Sequence, residues 1–188
     1  MERHIKVGRA HNQNTDERTH DMTTITLQGN PFETVGALPE VGQKAPDFSI
    51  AGTDLKDLTL ADFAGQKLVL NIVPSVNTPV CATSARTFNE RAAGLDGAKV
   101  ITISEDLPFS LGGFCAAEGI EDVVMGSGFR SDFGKDYGVT IADGPFGGLM
   151  SRAVVVLDAE HNVVYTQHVI EVANEPDYDA ALAALEGA

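Results

Sequence analysis

LVLNIVPSVNTPVC, residues 68 to 81, runs from an apolar stretch without polar alternation into a turn containing Pro74 and Pro79, and ends on one of only two cysteines in the chain. A run of that kind fits a strand buried on both faces of a parallel sheet. Pro74 stops it. From there apolar positions recur at Cys81, Ala85, Phe88, Ala92 and Leu95, one face of a helix whose core-facing stripe the cysteine opens. The local unit is strand, turn and helix, with a thiol at the helix start.

Downstream, KVITIS (99–104) reads as a second strand. Pro108 suits a first helical position and Gly119 the matching C-terminal stop, so a second helix carries Cys115. A short strand near Val123 and Val124, a short helix from Phe133 to Tyr137 and a Gly-rich loop, ADGPFGGLMS (142–151), follow. RAVVVLD and NVVYTQHV form two strands separated by Ala-Glu-His, and Pro176 starts a last helix with Tyr178, Leu182 and Leu185 on one face. Upstream, ITLQGNPF (25–32) alternates around Gly29 and Asn30 as a hairpin. KAPDFSI and DLTLADF are two short segments around a Gly-Thr-Asp turn. This order predicts an α/β sheet with an antiparallel closing hairpin, for which a thioredoxin-like core is the simplest arrangement. In such a core the strand beginning at Arg152 runs antiparallel to the strand ending at Val73, so Arg152 approaches Cys81.

At 188 residues and 43% apolar composition the chain suits one soluble domain. The first 21 residues hold four Lys or Arg, four Asp or Glu and three of the five His. They are expected to form a disordered leader, with Met22 a candidate start and residues 22–188 the folded domain. The remainder carries the whole net charge of -14, a surface that repels nucleic acid and anionic membrane. No stretch approaches the roughly 20 apolar residues of a membrane span, and the N-terminus lacks the apolar core of a secretory signal. A cytoplasmic location is expected.

The thiolate is the nucleophilic form of cysteine, yet an unperturbed thiol is only about 3% ionised at pH 7. A helix N-terminus favours negative charge, a nearby guanidinium adds a permanent positive one, and the Thr78 hydroxyl can hydrogen-bond the sulfur or a substrate oxygen. Pro74 and Pro79 stiffen the loop. Plainer readings compete. Cys81 could be a small core hydrophobe, Arg152 a surface arginine at a strand end, and Thr78 an ordinary N-cap. The two cysteines could form a static staple across their 34-residue separation, worth about 3.8 kcal/mol on the chain-entropy model. A thioredoxin-type oxidoreductase would need a Cys-x-x-Cys, which is missing. Glu105, Asp106, Glu118, Glu121 and Asp122 read most simply as a solvated acidic face, and His161 and His168 as surface positions on a hairpin. The chain lacks the clustered ligands of a Cys and His metal site.

Pro74, Thr78 and Cys81 fit the Pro-x-x-x-Thr/Ser-x-x-Cys signature of peroxiredoxins, and LQGNP, FCAAEG, YGV-x-IADGP, RAVVV and EPDYDAAL extend the match over about residues 22 to 186. The sequence resembles the thiol peroxidase branch, the atypical two-cysteine peroxiredoxins. The resemblance implies a thioredoxin-fold peroxidase acting on hydrogen peroxide and organic hydroperoxides. Cys81 matches the peroxidatic cysteine and Cys115 the resolving one; Thr78 and Arg152 match residues that bind and polarise the peroxide, and Pro74 the proline that shields the site. It further implies an intramolecular disulfide reduced by thioredoxin, a homodimer, and chemistry needing no metal, haem or flavin cofactor. A peroxide sensor that passes oxidation to a partner protein would use the same first step.

Overall fold

The computed structural model describes residues 22–92 and 94–188; the leader expected over residues 1–21 lies outside the described residues. β1 (Thr24–Leu27) and β2 (Asn30–Glu33) form an antiparallel hairpin, and β3 (Ser49–Gly52) and β4 (Asp57–Thr59) pair in the same sense. The chain continues through β5 (Lys67–Ile72), α1 (Pro79–Ala92), β6 (Ala98–Ser104), α2 (Pro108–Glu118), β7 (Val123–Ser127), α3 (Phe133–Asp136), β8 (Ala153–Leu157), β9 (Val163–His168) and α4 (Tyr178–Glu186).

Seven strands make one sheet in the order β4-β3-β7-β6-β5-β8-β9. β5, β6 and β7 are parallel neighbours joined through α1 and α2. β8 lies antiparallel to β5 with Ile72 opposite Ala153, and β9 closes the edge antiparallel to β8. This is the thioredoxin-like arrangement expected from the order of elements. No helix among the described residues is long and apolar enough to cross a membrane.

The pleat sorts side chains between two cores. Leu68, Leu70 and Ile72 of β5 and Ala153, Val155 and Leu157 of β8 face Phe48, Phe133 and Tyr137. Val69, Val154 and Val156 face the other way, onto Cys81, Phe88, Leu111, Ala181 and Leu185 of the helices. Both faces of β5 and β8 are covered, which is why neither strand alternates in sequence.

Local boundaries differ from expectation where capping chemistry decides them. α1 begins at Pro79, two residues before Cys81, because proline's missing N–H is harmless in the first turn; Leu95 lies past the helix end. α2 starts at Pro108, and Gly119 adopts a left-handed φ of 66°, donating its N–H to the Cys115 carbonyl. α4 starts after Pro176, since the Asp177 carboxylate caps it by accepting from the Ala180 N–H at 2.9 Å.

His168 is not the surface residue expected from its hairpin position. Its Nε2 lies 2.7 Å from Ser151 Oγ, its Nδ1 is buried without a protein partner, and burial pushes its pKa down to about 4. The unfolded chain holds a proton on this imidazole up to about pH 6.5, so between there and pH 4 it binds more protons than the folded chain. Acidification through that window therefore removes up to about 1.4 kcal/mol of stability per pH unit. Chemical denaturation at steps from pH 7 to 4 should show a shallower fall for His168→Gln than for the parent; parallel curves would remove His168 as the source.

Candidate active site

The turn after β5 delivers Cys81 to the protein interior. Cys81 is the third residue of α1, in the turn whose N–H groups lack intrahelical acceptors and favour negative charge. It is 1% exposed. Beneath α1, the fully buried Asn71 of β5 accepts a hydrogen bond from Ser84 Oγ at 3.0 Å and donates one to Thr102 Oγ1 of β6 at 3.1 Å. A satisfied polar network in an apolar interior fixes geometry, because any shift of the helix leaves a buried polar atom unpaired.

Arg152 arrives from the opposite direction. It extends the β8 row of Val154 and Val156, which faces the Cys81 side of the sheet. The antiparallel register sets it level with the end of β5. Its Nη2 donates to Cys81 Sγ at 3.2 Å and its Nε to the Val172 carbonyl at 3.0 Å, with the residue 1% exposed. Nη1 has no protein partner, and no carboxylate among the described residues pairs with the guanidinium. The surface-arginine reading of Arg152 is excluded.

The N-terminal hairpin supports this arginine from behind. Thr26 donates its N–H to the Ile170 carbonyl at 2.6 Å and accepts from the Val172 N–H at 2.8 Å. Glu171 between them takes hydrogen bonds from Thr26 Oγ1 at 2.9 Å and the Gln28 N–H at 3.0 Å. The carbonyl that orients Arg152 thus belongs to a segment locked onto β1.

Pro74 is buried beside the strand end. Thr78 is exposed; its hydroxyl donates to the Ser75 carbonyl at 3.2 Å rather than to the sulfur, and its own carbonyl accepts from the Ala82 N–H at 2.9 Å. Cys115 sits half-buried on α2 against the same apolar cluster as Cys81, and burial pushes its thiol pKa up. Both cysteines are free thiols. Cys115 also walls a cleft of about 560 Å³ with Gly52, Leu58, Gly112 and Met125. A second cleft of about 600 Å³ is lined by Asp47, Asp57, Arg130 and Asp132. Neither is lined by Cys81 or Arg152, so the thiol and guanidinium, not cleft size, locate the chemistry.

Sequence reading missed Asp106. Instead of joining a solvated acidic face, its carboxylate accepts from Ser75 Oγ and the Val76 N–H, each at 2.8 Å, from Asn77 Nδ2 at 3.3 Å and from Ser104 Oγ at 2.8 Å. Glu105 is half-buried, and burial raises its pKa. Glu118 pairs with Arg86 at 2.7 Å, while Glu121 and Asp122 are exposed as expected. Among the described residues no group of three His, Cys, Asp or Glu could hold a metal ion.

The chain as a whole is similar to known proteins. The Redoxin family model matches residues 40–182. The thiol peroxidase of Mycobacterium tuberculosis (strain ATCC 25618 / H37Rv) is 57% identical over 164 residues, covering 87% of this chain and 99% of that protein. That of Corynebacterium glutamicum is 53% identical over the same shares. Among solved structures, a peroxiredoxin-like protein from Aquifex aeolicus superposes with a TM-score of 0.84 at 37% identity, covering 88% of this chain and 98% of that one. The chain belongs to the redoxin family and, within it, to the thiol peroxidases, a class of peroxiredoxin enzymes.

The Arg152 contact yields a direct test. A cysteine can shed an unpaired buried charge by taking up a proton, so removal of the guanidinium need not unfold the protein, while losing one charged transition-state donor typically slows a reaction about 100-fold to 1,000-fold. Arg152→Met should therefore unfold near the parent temperature yet react with peroxide at Cys81 slower by about that factor. Lys should rescue only in part, lacking the planar fork. Stopped-flow oxidation rates decide it: a folded Met variant with the parent's rate takes Arg152 out of the site.

Proposed function

We propose that the protein reduces hydrogen peroxide and organic hydroperoxides through a cycle carried by Cys81 and Cys115, in the cytoplasm and as a homodimer. The observation that carries this reading is the 3.2 Å contact between the Cys81 sulfur and a buried guanidinium free of any carboxylate among the described residues. In the first step the Cys81 thiolate attacks the terminal peroxide oxygen. The O–O bond breaks, sulfur is oxidised to a sulfenic acid, and the other oxygen leaves as hydroxide or alkoxide and takes a proton from water. Arg152, whose Nη1 is still unpaired, and the α1 N-terminus stabilise the charge shifting along the oxygens. Thr78 retains lone pairs for a substrate proton at the loop surface, and buried Pro74 keeps water from the sulfur.

In the second step the Cys115 sulfur attacks the sulfenic sulfur, forming a disulfide and releasing water. Each thiol is held in its own helix, so some unwinding of α1, α2 or both accompanies this closure. Burial holds Cys115 in its thiol form until that opening exposes it. A dithiol of the thioredoxin type then reduces the disulfide and becomes a disulfide itself. Leu107 and Phe109, 53% and 73% exposed, adjoin Asp106 and Ser110, which bond the Cys81 loop, and suit the face of a second copy or a bulky substrate.

Peroxide-dependent oxidation of reduced thioredoxin measures the whole cycle. Cys81→Ser should abolish it, because a serine hydroxyl neither ionises near neutral pH nor forms a sulfenic acid; retained turnover would overturn the nucleophile. Cys115→Ser should keep one rapid oxidation, trapped by a dimedone-type reagent, and lose sustained turnover. Peptide mass mapping of oxidised parent protein without a Cys81–Cys115 bond would rule out the two-cysteine cycle. Normal oxidation of Cys81 with no turnover by any small dithiol or thioredoxin would favour the sensor instead.

A further inference from the structure

We propose that Asp106 is the latch of the Cys81 loop: a positioning residue that holds the loop in the geometry for peroxide attack and is released when the loop opens to meet Cys115. The inference rests on the peroxidase reading above. Asp106 is at the junction between β6 and α2 and its carboxylate takes three of its four hydrogen bonds from the loop, at Ser75 Oγ, the Val76 N–H and Asn77 Nδ2. The fourth, from Ser104 Oγ, fixes the carboxylate to the end of β6. Its own carbonyl accepts from Ser127 Oγ of β7 at 2.5 Å, so the anchor is tied to two strands of the central sheet.

The Asn77 amide extends the tie, donating also to Ser110 Oγ in the first turn of α2 at 3.1 Å. The loop that leads to Cys81 is thereby stapled to the start of the helix that bears Cys115. Hydrogen bonds to an ionised carboxylate are roughly twice as strong as neutral ones, and their donors here include a main-chain N–H that no side-chain substitution can remove. Attack on peroxide needs the sulfur fixed against Arg152; closure of a disulfide needs the same loop to leave. One carboxylate that grips the loop favours the first step and opposes the second, so weakening the grip separates the two in sign.

Asp106→Asn preserves shape but turns one acceptor oxygen into a donor facing donors. It is expected to slow Cys81 oxidation by about 10- to 100-fold, the penalty of misplacing a reacting group by about an ångström. The first-order rate of Cys81–Cys115 closure, followed by quench and alkylation mass spectrometry, should be unchanged or faster. Sulfinic acid, formed when a second peroxide transfers oxygen to the sulfenate and leaves as water, should fall as a fraction of oxidised Cys81. Ser75→Ala should move all three readouts the same way by less, and the double variant should fall short of additivity; should the Asn variant fail to fold, the Ser75 variant carries the test. Parent-like rates in both variants, or closure slowed in step with oxidation, would overturn the latch. Parent protein that is not oxidised at Cys81 at all would sink the peroxidase reading instead.

Discussion

A guanidinium at 1% exposure, facing a sulfur at 3.2 Å, is the interaction to which the neighbouring elements are fitted. Removing an ion from water costs several kcal/mol even after relaxation. Against a thiolate at that distance the attraction is about 5 kcal/mol at an effective dielectric constant of 20, of the same order as the penalty. A neutral thiol returns far less. A buried cation is least costly where an acceptor able to carry negative charge faces it, and the chain brings guanidinium and sulfur together from two strands running in opposite directions.

That geometry explains the antiparallel edge of an otherwise parallel centre. Had β8 run parallel to β5, its first residue would lie at the far end of the sheet from the loop after Ile72. Reversal brings the start of β8 and the end of β5 together, and the pleat decides the rest: Arg152 shares the parity of Val154 and Val156, which pack with Cys81. A one-residue slip would send the charge into the Phe133 and Tyr137 side. Two loop carboxylates then fix the partners from outside, Glu171 holding the segment that orients Arg152 and Asp106 holding the segment that leads to Cys81.

What could be read from the sequence follows the range of the forces involved. Strand burial, helix periodicity and the Pro108 and Gly119 stops depend on residues within a turn or two of each other, and each is present in the structure at or near its expected place. The approach of Arg152 to Cys81 was accessible because topology alone, strand direction plus order, determines it. Asp106 and His168 were not, since their partners are main-chain, hydroxyl and side-chain amide groups up to 31 positions away. A lone aspartate beside a glutamate carries no pattern that separates a solvated face from a loop anchor. The one local hint was its setting: Ser104 two residues before and Pro108 two residues after, a tight junction where a short acidic side chain bonds backbone more readily than water.

The two cysteines share an apolar cluster and differ in what else touches them. Cys81 meets a cation and a helix N-terminus; Cys115 sits in the second half of α2, has no cation hydrogen-bonded to its sulfur among the described residues, and is shifted by burial toward the thiol form. Helix position adds to the difference, because the macrodipole favours an anion at one end and disfavours it at the other. If both sulfurs were equally activated, peroxide could oxidise either first, and oxidation of both would leave no thiol to close the disulfide. The two environments differ accordingly: the sulfur beside Arg152 lies next to a fixed positive charge, and the sulfur in the apolar wall is held toward its thiol form by burial. The two cysteines thus stand in different electrostatic surroundings, one at a helix start beside a guanidinium and the other in the second half of a helix against apolar side chains.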